Sequence, residues 1–427
     1  MVGIVLLGVF VLLLALGAPI AVCLGMSSVS AILVQGAGKP LEAIMSVLPR
    51  LCSSASSKFV LLAIPFFILS GNVMEKAGIS GRLINLAEKC LGHIRGGMAM
   101  VCVVVSCFFA AISGSGPATV AALGLIMIPA LVKAGYPASF SCALMAAGGA
   151  IGVVIPPSIT FVVYGSIADA SITDLFVAGV VPGLLMGLGL IVAAMLMGRK
   201  MDLKVLPKAG GKERLAAFKD AFWGLMMPVI ILGGIYGGIM TPTEAAAVAA
   251  FYGLIVGVFL YREMDFKTVC SSCVASCETS SIIIVLMAMA TLFGNIMTIE
   301  DVPGTIARWM LSITESKIII LLLINVLLLI VGVFMEALAA IVILTPILLP
   351  VVTGVGVSPL HFGIIMVVNL AIGFLTPPVG VNLFVASGVA QAKIEKIAVA
   401  VLPMIALMLI VLAIITYCPS VPLMLVH

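Results

Sequence analysis

Charge is scarce in this sequence. Asp, Glu, Lys and Arg make up 9% of its 427 residues, against about 25% in an ordinary soluble domain, so a water-soluble globular fold is excluded. Histidine is rarer still: His93 and His361 fall in loops beside apolar runs and His427 ends the chain, so no imidazole is expected within a span. No GxxxxGK[ST] loop and no dinucleotide fingerprint on a strand occurs, which leaves an ion gradient or an external partner as the energy source. The chain also lacks a basic stretch ahead of its first apolar run, MVGIVLLGVFVLLLALGAP, and that run is expected to remain as a membrane helix. The 43 Gly follow no three-residue period, and the 10 Cys are scattered in apolar stretches as small hydrophobes. Cys270, Cys273 and Cys277 fit one helix face, without the His or second Cys pair that a metal site would need.

What fills the chain is apolar side chain. Hydrophobic residues make up 63% and the mean hydropathy is +1.38. At about 20 residues per crossing the chain can span a bilayer ten or more times. The class read from this is an all-α polytopic membrane protein.

Punctuation by Pro and Gly recurs. Pro129, Pro156, Pro157 and Pro182 are followed 221 residues later by Pro350, Pro377, Pro378 and Pro403. Upstream, Pro19, Gly71, Asn72 and Gly81 match Pro242, Gly294, Asn295 and Gly304 at an offset of 223. Such a fixed period implies two copies of one unit. The expected organisation is a first repeat over 1–198, a basic linker over 199–221 and a second repeat over 222–427. The first repeat holds a split apolar pair at about 98–132 and a broken helix at about 136–168. The second holds its counterparts at about 319–353 and 360–390.

If each split pair is a re-entrant hairpin, each repeat crosses about five times, and an odd number makes the repeats inverted. With 199–221 in the cytoplasm, 16 of the 21 Lys and Arg fall on the cytoplasmic side and 5 (Lys39, Arg50, Lys58, Arg308, Lys317) outside. That bias follows the positive-inside rule and puts both termini outside. One broken helix over 2–35 in place of two would change that parity.

Irregular backbone at membrane depth survives only when buried in protein or lining a polar cavity. Four such breaks are legible: Ser113–Thr119, Ile155–Ser158, the Met335–Ala337 region and Leu375–Pro378. Discontinuous helices at matching places in two halves point to a transporter's binding site. Half-helix N-termini offer N–H groups to an anion, while freed carbonyls and hydroxyls suit Na⁺. Ser115 or Gly116 can cap a helix with Pro117 at its first position. Pro156-Pro157 should strand carbonyls near Gly152 and Val153. Glu336 is an acid between two strongly apolar runs, so a site role is expected, by cation ligation, proton exchange or shaping of the pocket. Thr241-Pro242-Thr243-Glu244 reads as a capping box, not as chemistry. Gly233/Gly237 and Gly234/Gly238 read as close-approach pairs between helices. Polar stretches at 37–58, 76–95, 264–280 and 299–317 read as amphipathic segments in the interface.

The runs SGSGPATVAALG (113–124), GGAIGVVIPPSI (148–159), MTPTEAAAVAAFYG (240–253) and LTPPVGVNLF (375–384) resemble the large membrane subunit of tripartite ATP-independent periplasmic (TRAP) transporters. The resemblance covers essentially the whole chain. It implies Na⁺-coupled import of an organic acid such as a C4-dicarboxylate or sialic acid across the bacterial inner membrane. It also implies a scaffold with an elevator-type transport domain, a periplasmic substrate-binding protein and a small four-helix membrane subunit, here expected as a separate chain. Membrane lipid is a further partner, and nucleic acid is not.

Carried over by position, Ser113, Ser115, Gly149, Gly152 and Pro156 would hold one Na⁺, and Glu336, Ala337, Gly373, Thr376 and Pro377 a second. The substrate carboxylate would meet Ser115, Ser158, Thr376 and Glu336. No organic cofactor and no enzymatic activity are implied. A stand-alone Na⁺- or H⁺-coupled carboxylate transporter, an ion channel and an intramembrane enzyme are the competing readings.

Overall fold

The computed structural model describes residues 2–36, 46–199, 201–314 and 316–426. Lys39, Lys200 and His427 lie outside the described residues. Among the described residues, nine helices are long and apolar enough to cross a membrane, joined by shorter apolar helices.

The run 2–35 is two helices, α1 (Val2–Ala15) and α2 (Ile20–Gln35). Gly17, with φ +78°, ends the first: its N–H donates to Leu14 O and the Ala18 N–H reaches back to Leu13 O, a Schellman closure followed by Pro19. Then come α3 (Val47–Ser56), a 3₁₀ turn at Phe59–Leu62, α4 (Ala63–Lys76) and the short α5 (Ile79–Leu91). The first split pair is α6 (Gly97–Ser113) with α7 (Gly116–Lys133), and the first broken helix is α8 (Ala138–Ile151) with α9 (Ile159–Ala168). α10 (Ile172–Gly198) closes this half.

The second half repeats the order with α11 (Gly211–Tyr236), α12 (Pro242–Ile255), α13 (Phe266–Ile299) and the short α14 (Val302–Ile313). The second split pair is α15 (Lys317–Phe334) with α16 (Ala337–Gly354), the second broken helix α17 (Pro359–Gly373) with α18 (Val381–Ala390), and α19 (Ile394–Tyr417) follows.

Three sequence expectations need correction. The stretch 264–280 is not a separate interfacial segment, because α13 runs unbroken for 34 residues. Its Ser and Thr do not break it, since their hydroxyls bond the preceding turn: Ser272 to Thr268 O (2.9 Å), Ser276 to Ser272 O (2.6 Å) and Ser280 to Ser276 O (2.6 Å). Asp265 caps its start by accepting from the Thr268 hydroxyl (2.5 Å) and N–H (2.8 Å), and these bonds hold its carboxyl below the usual carboxylate range. The glycines at the end of α11 do not bring two helices together. Gly238, at φ +66°, terminates the helix, and Gly233 has open space beside it. His361 is not a solvated loop residue: it sits in the first turn of α17, 2% exposed, with Nε2 2.8 Å from Ile415 O. The capping box holds, with the Glu244 carboxylate accepting from the Thr241 N–H at 2.8 Å and the Thr241 hydroxyl accepting from the Glu244 N–H at 3.3 Å.

The basic segment 199–221 is half helix, because α11 begins at Gly211. Its extended part is tied down: the Lys204 N–H donates to Ala134 O (2.9 Å) and the Leu206 N–H to Gly92 O (3.1 Å).

α8 and α17 form the centre, with every residue of Phe140–Ile151 and His361–Gly373 buried. The halves interlock there: α18 packs on α7 and α8, while α9 packs on α16. Around them, α12 packs on α4, α13 on α2 and α4, and α11 on α5. Arg82 of α5 holds one end of this outer layer. Its guanidinium meets Glu263 (2.6 Å) and Asp220 (3.2 Å), donates to Gly78 O (3.0 Å) and lies 3.9 Å from the Tyr261 ring centroid. We expect Arg82→Ala to cost roughly 1–3 kcal/mol, discounted for the half-exposed carboxylates, and to lower the melting temperature in detergent. A melting curve identical to wild type would show that this node carries no stability.

Candidate functional site

The first tip is short because Pro117 restarts a helix almost at once. α6 ends at Ser113, Gly114 turns at φ +60°, and Ser115 is the N-cap of α7 with its hydroxyl free of any capping bond. The tip is knitted by oxygens. Ser113 Oγ lies 2.8 Å from Thr119 Oγ1, and the Thr119 hydroxyl donates to Ser115 O at 2.8 Å. A Cβ on Gly152 would lie 3.2 Å from Thr119 Oγ1 and 3.4 Å from Ser115 O; one on Gly149 would lie 2.9 Å from Gly116 O. Four of the five residues expected at the first cation site, Ser113, Ser115, Gly149 and Gly152, therefore converge. Pro156 lines an apolar crevice against α6 and α10.

At the first Pro-Pro break the stranded carbonyl is that of Val153, as the missing donors demand. It accepts from the Ser158 hydroxyl (2.6 Å) and the Thr160 hydroxyl (2.9 Å), which are 2.6 Å from each other. Ser158 is 0% exposed and its hydroxyl is spent on this brace, so it is not where a substrate would touch it. Thr160, bonded to the same carbonyl, lines the cavity, and Ser158 does not.

The second tip has the same plan. α15 ends at Phe334, Met335 and Glu336 are extended, and Glu336 is the N-cap of α16 without a side-chain capping bond. Its carboxylate makes no ion pair among the described residues. Behind the tip, Gly373 of α17 meets the Gly332 backbone of α15 directly. Thr376 donates its hydroxyl to Ile372 O (3.0 Å) and stands, like Pro377, in the break outside the cavity lining.

Both tips face one cavity of 270 Å³. Gly114–Pro117 form one side and Glu336–Leu338 the other, with Thr160 and Phe374 at the breaks and Thr279 on α13 completing the wall. Two half-helix N-termini, one carboxylate and several hydroxyls thus surround a space that an anion with its counter-cation can fill. Among the described residues no cluster of His, Cys, Asp and Glu could hold a metal ion, so a hard cation would depend on carbonyl and hydroxyl oxygens.

The sequence reading missed Asn382 and Asn369. Asn382, the second residue of α18, reaches across to the first half, donating to Ala146 O (3.1 Å), and its Oδ1 is buried without a partner beside Gly116. Asn369 donates to Asn325 Oδ1 (2.7 Å) and O (3.0 Å), and its own Oδ1 is likewise orphaned. The signal was present, because an amide inside an apolar run has to find partners.

Comparison with known proteins agrees with this architecture. The family described as "Tripartite ATP-independent periplasmic transporter, DctM component" matches residues 7–421. An isethionate TRAP transporter permease protein, DctMQ, of Oleidesulfovibrio alaskensis is 57% identical over 98% of this chain, which spans 65% of that protein's length. The C4-dicarboxylate TRAP transporter large permease of Pseudomonas aeruginosa is 46% identical over 86% of both chains. The sialic acid TRAP transporter large permease of Vibrio cholerae is 39% identical over 86% of both. Among solved structures, the YdaH transporter of Alcanivorax borkumensis shares the fold at a TM-score of 0.68 and 17% identity, covering 93% of this chain and 96% of that one.

Proposed function

This chain belongs to the DctM component of the tripartite ATP-independent periplasmic transporters, and from that premise we propose that it is the permease subunit of a Na⁺-coupled importer of a small organic anion. The observation that carries the reading is the single 270 Å³ cavity shared by both hairpin tips. Its volume is below the range of about 300–1,000 Å³ usual for drug-sized ligands, which favours a short-chain acid over a bulky sugar acid. A C4-dicarboxylate or a sulfonate such as isethionate fits that limit, and relatives named for both are similar over most of the chain.

In the proposed cycle, N–H groups at the starts of α7 and α16 meet the anion, and oxygens at Ser113, Ser115, Gly149 and Gly152 take one Na⁺. Glu336 and Ala337, with Gly373 nearby, take the second. The two halves are inverted repeats, and the interlocked hairpins and broken helices move as one elevator body within the outer layer of helices. Both termini lie on the periplasmic side of the inner membrane. A periplasmic binding protein delivers the solute, and a separate small membrane subunit braces the outer layer.

The test is uptake by proteoliposomes holding this chain and its small subunit, with the binding protein outside and a panel of acids. Uptake should require an inward Na⁺ gradient, and Ser115→Ala should lower it about tenfold, the loss of one hydrogen bond to a charged ligand. Uptake without a binding protein would indicate a stand-alone transporter. Ion current without substrate would indicate a channel.

A further inference from the structure

Two more cavities follow the hairpin cavity toward the end of the bundle where α9 finishes and α10 and α12 begin. The nearer, of 170 Å³, uses the next turns of the same helices. On α13 it takes Met287 to Thr298 where the hairpin cavity takes Thr279 to Leu286, and on α16 it takes Val342 and Pro346 beyond Glu336–Leu338. The farther, of 630 Å³, is the widest of the three.

Lys58 and Ser166 line both outer cavities and stand at their junction. Lys58 occupies the joint between α3 and the 3₁₀ turn ahead of α4, and its ammonium donates to Ser166 O at 2.7 Å. That bond caps the end of α9 and uses one of three donors, and Lys58 has no ion pair among the described residues. Ser166 is 7% exposed, yet its Oγ is buried without any partner. A buried hydroxyl is normally bonded, so an orphan beside a cation with spare donors marks a place for an acceptor. The 170 Å³ cavity has no carboxylate in its lining, while Asp169 faces only the wider one.

We infer that Lys58 and Ser166 form an anion-binding station, distinct from the hairpin cavity, that receives a small carboxylate or sulfonate on its way inward. This rests on the transport reading above, with this end facing the side from which solute arrives. The ammonium supplies the charge and the Ser166 hydroxyl one donor, while the carboxylate-free walls of the 170 Å³ cavity favour a negative solute on the inward side of the station.

The test has two arms, labelling of the detergent-solubilised complex and uptake by proteoliposomes. In the first, acetylation of Lys58 by an amine-reactive reagent is followed by mass spectrometry. Millimolar succinate or isethionate should slow it severalfold, a neutral diol should not, and Ser166→Ala should weaken the protection. In the second, uptake kinetics of Lys58→Gln should show an apparent KM raised about tenfold with Vmax within twofold, and Lys58→Arg should restore it. Wild-type uptake with unprotected Lys58 and an unchanged KM in Lys58→Gln would overturn the station and leave the transport reading standing. Equal loss of uptake in the Gln and Arg variants would assign Lys58 to capping α9 alone, which also overturns it. Absence of wild-type uptake, by contrast, strikes the transport reading itself.

Discussion

Gly373→Ala should abolish uptake and sharply reduce the folded protein recovered. A Cβ at this position would sit 2.6 Å from both the Cα and the carbonyl carbon of Gly332 and 2.8 Å from its oxygen. The obstacle is backbone on both sides, in α15 and α17, so no side chain can rotate out of the way. Overpacking of this kind costs about 1–3 kcal/mol and more where the backbone is fixed, and any relief would pull the second tip off the broken helix. Gly332→Ala should be milder, since its Cβ would be 3.1 Å from Gly373 Cα. Gly81→Ala serves as the control, because nothing lies within 4 Å of its Cβ and Ala is the better helix former. Fluorescence-detected size exclusion after heating reads all three. A wild-type melting profile and uptake for Gly373→Ala would refute the close contact.

Glu336→Ala should lower uptake on the order of 100-fold while the protein assembles normally. Assembly should survive because the carboxylate makes no salt bridge or capping bond among the described residues, and α16 starts with Ala337 regardless. Transport should not survive if the proposed cation sits there, because Glu336 is the one carboxylate in the lining of the cavity and removing a charge from its partner costs about 2–5 kcal/mol. Glu336→Gln separates the roles left open by the sequence. Retained uptake would assign the residue to shape and hydrogen bonding, and loss equal to that of Ala would assign it to its charge. Wild-type rates in both variants would remove Glu336 from the site.

The breaks were legible because Pro and Gly act locally. Pro156-Pro157 and Pro377-Pro378 leave no choice about where a helix stops, and Ser115-Gly116-Pro117 announces where one starts. The convergence of the two tips was legible only through the offset that repeats these signals. The inward placement of hydroxyls was not. Ser158 and Thr160 look equivalent in sequence and both bond the Val153 carbonyl, and only the packing of the break puts Thr160, not Ser158, in the cavity lining. The continuity of α13 was hidden because Ser, Thr and Cys read as breakers until their bonds to the preceding turn are seen. Asn382 was overlooked since its partner, Ala146 O, lies in the other half of the chain.

The arm of the second half is one helix of 34 residues, about 51 Å long at 1.5 Å per residue, against a hydrocarbon core of about 30 Å. Its counterpart is jointed between Ser56 and Phe59. A stiff rod carries a push at one tip to the other undiminished, whereas a jointed one absorbs it at the elbow. The two halves are thus mechanically unequal even where their sequences rhyme, with a lever in one and a knuckle in the other.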